Sequence, residues 1–168
     1  FLAGYYVVPE KYRNEMLLLG SILFYAAGEP YFVLLLLAAV WLNYLFAWKV
    51  IHCRDKQRLK KRGKAWLIAA MAADVGLLAA FKMSGFFLGE SMMPLGLSFY
   101  LFKMISFQAD VYRGEIRELP SFRQTAVYFT MFPQLVSGPI MRYNEGALDA
   151  EKRDYSWDNA EKGLWYFA

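Results

Sequence analysis

Apolar residues along the chain fall into runs of about helical-span length, separated by short polar segments. The runs cover residues 1–8, 16–28, 31–51, 65–81, 92–109 and 124–141, and a truncated helix is expected from 157. Apolar runs of about twenty residues are typical of transmembrane helices. The pattern therefore predicts an all-α polytopic membrane protein whose residues 1–168 form a single membrane-embedded unit.

Two of these runs are not expected to be straight spans. Residues 16–28 are too few for a full crossing of about twenty residues, so a tilted short helix and one arm of a re-entrant hairpin are both compatible with them. The run over 124–141 is interrupted by Pro133, Gly138 and Pro139. Proline removes a backbone donor and ends helical hydrogen bonding, so the sequence predicts a broken helix here.

Composition supports the membrane setting. Of 168 residues, 58% are hydrophobic and 18% are aromatic, while the formal net charge is +4. A basic protein can bind nucleic acid, but no basic stripe interleaved with exposed aromatic residues is present outside one short segment. We therefore attribute the positive charge to membrane topology and expect the lipid bilayer, not nucleic acid, as the partner.

Two short segments concentrate the basic residues. Residues 52–64 hold seven Lys or Arg against one Asp, and residues 110–123 hold three Arg. Short loops rich in Lys and Arg lie on the cytoplasmic side of a membrane, and the two predicted spans between these segments keep both on that side. Residues 9–15 lie on the same side as these segments if the run 16–28 crosses the membrane fully. Binding of anionic lipid is an alternative role for 52–64.

One predicted span carries a carboxylate in its middle. Asp74 is costly there unless it is protonated, paired or exposed to a cavity. We expect Asp74 to bond a neighbouring helix and Lys82 to extend its ammonium outward. Ala72, Gly76 and Ala80 recur every four residues in the same run, a spacing that lets another helix approach closely.

The run over 92–109 has polar and aromatic residues on one side of its helical wheel. Pro94 suits its first turn. A buried lysine on such a stripe is a functional-site hypothesis in a membrane protein, and a snorkelling or structurally paired Lys103 is the alternative. The stripe consists of Gly96, Tyr100, Lys103, Phe107 and Asp110.

Soluble catalytic signatures are missing from the chain. It has no Gly-rich phosphate loop, no paired histidines, no GxSxG and no HExxH. His52 is the only histidine and lies among basic residues, where a solvated position is expected. Cys53 has no second cysteine to pair with, so neither a disulfide nor a cysteine-based metal site can form within the chain, and no metal site is predicted.

Two long motifs resemble a known family. The segments PLGLSFYLFKMISFQADVYRGEI at 94–116 and FPQLVSGPIMRY at 132–143 are similar to the membrane-bound O-acyltransferase family, in the branch of the bacterial alginate O-acetyltransferase. The agreement extends to LNY at 42–44 and FK at 81–82. The family members that transfer D-alanine share the GPI element, but the SFY and DVYRG segments resemble the polysaccharide-acetylating branch.

The resemblance implies a function for the parent chain. A funnel-like core in the bacterial cytoplasmic membrane, crossed by several spans, would pass an acyl group from a cytoplasmic thioester, acetyl-CoA above all, toward an extracytoplasmic polysaccharide or cell-wall acceptor. No bound cofactor is implied, and a separate extracytoplasmic acetyltransferase is the implied partner. The family's catalytic histidine would lie downstream of Ala168. Phe1 begins inside an apolar run and the last residues enter another, so we expect a fragment of a longer enzyme.

An acyl path through a membrane needs polar side chains and cations near a developing oxyanion. Pro94, Gly96, Gly138 and Pro139 are the candidate structural residues. We expect 132–143 to be non-helical around Gly138 and to lie against the helix at 92–110. The candidate path residues are Tyr100, Lys103, Asp110, Arg113, Gln134, Ser137, Arg142 and Tyr143.

Other function classes stay open at this point. Broken helices and charges at membrane depth also occur at transporter binding sites, so a polytopic transporter is the alternative, followed by a structural scaffold. A histidine within an apolar segment beyond Ala168 would favour the acyltransferase. A second half that repeats the interrupted segments of the first would favour the transporter.

Overall fold

The computed structural model describes residues 8–54, 60–88, 93–135 and 142–143. Within these residues the secondary structure is helical, with no strand. Most of the predicted run 1–8 and the predicted helix from 157 lie outside the described residues. The elements are α1 (Glu10–Gly28), a 3₁₀ turn (Pro30–Phe32), α2 (Val33–Arg54), α3 (Lys60–Leu88), α4 (Leu97–Arg113), α5 (Phe122–Thr130) and α6 (Phe132–Leu135).

Helices α2 and α3 form a long antiparallel pair. Near one end the rings of Phe32 and Phe81 lie 5.8 Å apart. Near the other end the Lys49 ammonium lies 3.9 Å above the Trp66 ring. Contacts at both ends fix the antiparallel orientation.

The ends of these two helices differ from the prediction. Residues 52–64 were expected to form a loop, yet α2 continues to Arg54 and α3 begins at Lys60. The apolar run predicted over 65–81 also ends earlier than the helix, since α3 continues to Leu88. Lys and Arg are good helix formers, so the basic residues extend both helices beyond their apolar stretches. At 29 residues, α3 is about 43 Å long, more than the thickness of a bilayer's hydrocarbon core.

The outward surface of the bundle is apolar. Pro30–Cys53 and Lys61–Ser84 are long and apolar enough to cross a membrane. An exposed apolar surface of this extent would be a liability in water but suits lipid. The predicted all-α membrane fold is confirmed. Among the exposed large apolar side chains are Leu34, Leu37, Trp41, Leu42, Trp48, Ile68, Val75 and Met83.

Helix α4 is the central helix and contacts α2, α3 and α5. Its buried face repeats every three or four residues, as in a helix that faces a core along its length. Several of its side chains, including Tyr100, Met104 and Phe107, have no exposed surface. The stripe that the helical wheel predicted therefore faces the protein interior.

The start of α4 corrects one prediction. Pro94 was expected in the first helical turn, but the helix begins at Leu97. Pro94 instead lies in the preceding turn, where its carbonyl accepts the Leu97 N–H at 3.1 Å. Gly96 adopts a left-handed conformation, with φ of 71°, that glycine tolerates better than other residues. The turn places Gly96 outside the helix, as its N-cap.

Helix α1 packs against α5 and α6. It begins at Glu10, six residues before the predicted apolar run, because the polar residues that precede the run also favour helix. Its 19 residues extend about 28 Å. Arg123 at the start of α5 forms an ion pair with Glu15 near the start of α1, so both helices begin at the same end of the bundle.

Candidate functional site

The helix break between α5 and α6 is the centre of the candidate site. Met131 separates the two helices with a non-helical conformation, φ −51° and ψ 111°. A continuous helix would press the Pro133 ring against the carbonyl of Phe129, four residues earlier. The break therefore follows from the sequence, although it falls two residues before the proline.

The break separates two backbone groups that a continuous helix would pair. In such a helix the Phe132 N–H would donate to the Tyr128 carbonyl. Here the Lys103 ammonium of α4 donates to that carbonyl at 2.7 Å. The Phe132 N–H donates to the Ser21 hydroxyl of α1 at 3.2 Å. Buried backbone groups need such partners, so α1 and α4 both stabilise the break.

Lys103 is the buried cation of this site, with 3% of its surface exposed. Besides its bond to the carbonyl, its ammonium lies 4.6 Å from the centre of the Tyr128 ring. The carbonyl end of a helix is negative, and an aromatic face attracts cations, so both contacts favour the charged form. Lys103 points into the protein and does not snorkel to the surface. An ammonium held in this way could also donate to an anion or a carbonyl oxygen of a substrate.

Aromatic rings surround the same place. Tyr143 lies 5.4 Å from Phe107 and 5.2 Å from Tyr128, measured between ring centres. Phe129 lies edge-on to Phe107 at 5.2 Å. Tyr143 thus lies against α4 and α5. Helix α4 is the one against which the sequence predicted the segment 132–143 to lie.

Charged residues lie where α4 ends. Gly114 ends the helix in a left-handed conformation, with φ of 86°. Beyond it, Glu115 forms an ion pair with Arg142 at 3.6 Å. Asp110 is buried, and this burial raises the pKa of its carboxyl above the usual range, to which Glu115 adds, whereas Arg142 and Arg113 oppose the rise. Arg142 and Asp110 are therefore electrostatically coupled.

A second polar group joins α2, α3 and α4. The Asn43 side-chain amide donates to Asp74 Oδ1 at 2.8 Å. Gln108 Nε2 donates to the Asn43 main-chain carbonyl at 2.7 Å and to Asn43 Oδ1 at 3.1 Å. All three side chains are buried. The expected bond from Asp74 to a neighbouring helix is confirmed, and Lys82 is exposed, as expected.

Sequence reasoning missed Gln108 in this group. The signal was available, since Gln108 lies one turn after Met104 on the buried side of α4. The stripe of Ala72, Gly76 and Ala80 is exposed, and no atom of another described helix lies within 4 Å of the position for a Gly76 Cβ. Its predicted close helix contact is thus absent from the described bundle.

The structure brings some of the predicted site residues together and leaves others apart. Tyr100, Lys103 and Asp110 share the buried face of α4, while Arg113 and Arg142 are exposed at its end. The described residues contain no group of three or more His, Cys, Asp or Glu that could hold a metal ion. The Gln134 side chain and residues Ser137, Gly138 and Pro139 lie outside what the structure describes.

Comparison with known proteins gives close matches along nearly the whole chain. The probable alginate O-acetylase AlgI of Pseudomonas fluorescens is 32% identical over 99% of this chain and 34% of its own length. That of Pseudomonas aeruginosa is 30% identical over 99% of this chain and 35% of its own length. This chain is related to the bacterial O-acetylases. The resemblance found in its motifs is thereby confirmed.

A more distant relative is named as an O-acetyltransferase of peptidoglycan. The peptidoglycan O-acetyltransferase of Helicobacter pylori is 26% identical over 98% of this chain and 39% of its own length. The chain spans about a third of the length of these curated relatives. No family model matches the chain. No solved structure gives a significant match to it either.

Proposed function

We propose that this chain forms part of the membrane core of an O-acyltransferase that transfers an acetyl group. The observation that carries the proposal is the similarity over 99% of the chain to proteins named alginate O-acetylase. The catalytic histidine of the resembled family belongs to sequence beyond Ala168 in this proposal. The described helices then supply the path and the supporting cations, not the base.

The reaction is an acyl transfer from a thioester to a hydroxyl group. The carbon–sulfur bond of the donor breaks, a carbon–oxygen ester bond forms on the acceptor, and the hydroxyl proton ends on the released thiol. Negative charge develops on the carbonyl oxygen in the transition state, where fixed cations and hydrogen-bond donors lower the barrier. No metal or bound cofactor is required by this chemistry, and acetyl-CoA is the proposed donor.

Two parts of α4, its C-terminal end and its middle, have distinct roles in the proposal. Arg113 and Arg142 lie at the end that the basic segments assign to the cytoplasm, where they would attract an anionic thioester donor. Lys103 lies three turns of helix deeper than Arg113, with its ammonium already oriented by the Tyr128 carbonyl. Such preorganisation lets a donor group act without reorganising during the reaction.

The acceptor and the surroundings complete the proposal. The acceptor would be an extracytoplasmic polysaccharide or cell-wall polymer, and a separate extracytoplasmic acetyltransferase would complete the modification. The enzyme would cross the bacterial cytoplasmic membrane several times. The long apolar helices α2 and α3 support this location.

The experiment is an acetyl-transfer assay on the full-length protein. Inverted membrane vesicles that contain it are given acetyl-CoA with a labelled acetyl group, and alkali-labile acetate is measured on the polymer fraction. We expect labelled ester in these vesicles and none in vesicles from cells lacking the protein. Absence of labelled ester, with the protein present and the partner co-expressed, would contradict the proposed function.

A transporter is the second candidate function, because broken helices such as this one also occur at transporter binding sites. Proteoliposomes containing the full-length protein distinguish the two. A transporter would accumulate a solute without consuming a thioester. The acyltransferase would release free thiol when donor and acceptor are supplied on opposite sides.

A further inference from the structure

Two cations flank one aromatic ring where the end of α2 meets the start of α3. The Lys49 ammonium of α2 lies 3.9 Å from the centre of the Trp66 ring of α3. Phe46 of α2 lies beside the same ring, with the two ring centres 6.2 Å apart. Arg62 precedes Trp66 by one helical turn, so it projects from the same side of α3. We call the surface formed by Phe46, Lys49, Arg62 and Trp66 the basic groove.

The positive charge of the basic groove is not neutralised within the described bundle. No described residue forms an ion pair with Lys49 or Arg62. Helix α2 contains neither Asp nor Glu, and the first carboxylate of α3, Asp74, lies about 18 Å along the helix from Arg62. Arg62 is exposed and Lys49 is half-buried. An anion that enters the groove therefore meets two cations without competing carboxylates from either helix.

The basic groove lies at the depth that lipid headgroups occupy. Arg62 comes directly before the apolar part of α3, and Lys49 lies in the last turns of the apolar part of α2. Tryptophan is enriched at membrane–water interfaces, and Trp48 and Trp66 lie at this level. The preference for basic residues on the cytoplasmic side explains why Lys and Arg occur here. It does not require two of them to flank one ring.

We propose that the basic groove binds the headgroup phosphate of an anionic glycerophospholipid. The Lys49 ammonium has three donors and lies over the ring on one side only, so it can donate to a phosphate oxygen while it keeps the Trp66 contact. Arg62 adds a planar pair of donors that matches phosphate geometry. Basic clusters beside membrane helices attract anionic lipids in this way. This inference is independent of the proposed acyl transfer.

The surface below the groove suits the rest of the lipid. Leu42 lies two turns deeper than Lys49 on the same face of α2 and is 46% exposed. On α3, Ala69 and Ala73 continue the side of Trp66 and are also exposed. The fatty-acyl chains lie along this apolar surface, which a free phosphate ion cannot use.

Native mass spectrometry of the purified full-length protein tests the groove. The protein is titrated with phosphatidylglycerol and, separately, with phosphatidylcholine, and the ratio of the two affinities is the lipid preference. We expect phosphatidylglycerol to bind several-fold more tightly. Lys49→Gln and Arg62→Gln should each lower this preference several-fold, and the double variant should abolish it. Lys82→Gln is the matched control, because it removes an exposed lysine from the other end of α3 and should leave the preference unchanged. A preference that persists in the double variant, or that falls equally in Lys82→Gln, would overturn the proposal.

Crosslinking of the unmodified protein decides the matter if the variants do not fold. The full-length protein is placed in phosphatidylcholine nanodiscs that contain phosphatidylglycerol with a photoreactive diazirine in its headgroup. After illumination, the crosslinked peptides should include those that contain Lys49 or Arg62, and their absence would overturn the proposal. Acetyl-CoA or inorganic phosphate added before illumination should not reduce these crosslinks. Displacement by acetyl-CoA would reassign the groove to the acyl donor, and displacement by inorganic phosphate would reduce it to a general anion site; either result overturns the lipid as its occupant.

Discussion

Lys103 is the residue on which the candidate site most depends. In Lys103→Met the side chain keeps its length but no longer donates to the Tyr128 carbonyl. An unpaired buried carbonyl costs about 1–3 kcal/mol, partly offset because a buried charge is also removed. We expect acetylation in cells to fall strongly and the melting temperature in detergent to fall modestly.

Two variants control the experiment on Lys103. Lys103→Arg keeps a charged donor and should retain part of the acetylation, although its planar group fits the carbonyl less well. Lys82→Met removes an exposed lysine from α3 and should change neither readout. Unchanged acetylation in Lys103→Met would reduce this residue to a packing role.

Arg142 tests the cytoplasmic end of the same site. Its ion pair with Glu115 is largely solvent-exposed, and exposed pairs contribute about 0–1 kcal/mol to stability. Arg142→Ala should therefore leave expression and melting temperature intact while it removes most acetylation. Arg142→Lys should restore only part, and Lys82→Ala, which removes an exposed cation from α3, should have no effect. If Arg142→Ala keeps full acetylation, Arg142 has no part in the site and contributes only to the orientation of the chain in the membrane.

At the scale of elements, the bond between Asn43 and Asp74 joins α2 to α3. Asn43→Leu leaves Asp74 Oδ1 without its donor, and Asp74→Leu removes the 2.8 Å acceptor of Asn43 Nδ2, which keeps only its bonds within the bundle such as that to the Ala39 carbonyl. The double variant removes both side chains. The double variant should therefore lose less stability than the two single variants together, with a coupling of about 0.5–3 kcal/mol. Thermal unfolding in one detergent measures all three. Asn43→Leu combined with Lys82→Leu should be additive, and additivity in the Asp74 pair would disprove the coupling.

The C-terminal end of α4 offers a second test at this scale. Gly114 has a φ of 86°, which costs a residue with a Cβ about 1–2 kcal/mol. Gly114→Ala should lower the melting temperature, and Gly114→Asn should lower it less, since Asn tolerates this conformation better. Gly76→Ala is the control, because its helical position has open space around a Cβ and no positive φ. Equal melting temperatures for the two alanine variants would contradict this account of the α4 end.

At the scale of the whole molecule, the helix directions predict that one end of the bundle faces the cytoplasm. Lys60 begins α3, Arg117 follows α4, and the ion pair of Arg123 with Glu15 brings the starts of α5 and α1 to the same end. In a Cys53→Ser background, Lys60→Cys and Arg117→Cys should resist an impermeant thiol reagent in intact cells. Tyr31→Cys, at the opposite end and 89% exposed, should react. Labelling at position 60 or 117 without lysis would reject the topology.

Sequence alone predicted much of this fold, because a membrane helix is specified by the length and spacing of apolar residues that are close together in the chain. Apolar length located the helices, and the three-to-four-residue spacing identified the side of α4 that is buried. The isolated carboxylate of Asp74 required a partner, and the structure supplies Asn43. Helix ends were less predictable, as at Lys60, because polar residues there still favour helix.

What the sequence by itself determined is therefore what depends on neighbouring residues: the helices and the break before Pro133. The sequence left open whether Lys103 points inward or snorkels, and the tertiary structure decided it. The tertiary structure alone decided which distant groups meet. Lys103 binds a carbonyl 25 residues away, and Gln108 binds Asn43 at a separation of 65 residues. Hydrophobic periodicity shows which polar groups are buried, and a buried polar group needs a hydrogen-bond partner. The partner itself is selected only when packed helices bring two particular groups within hydrogen-bond distance.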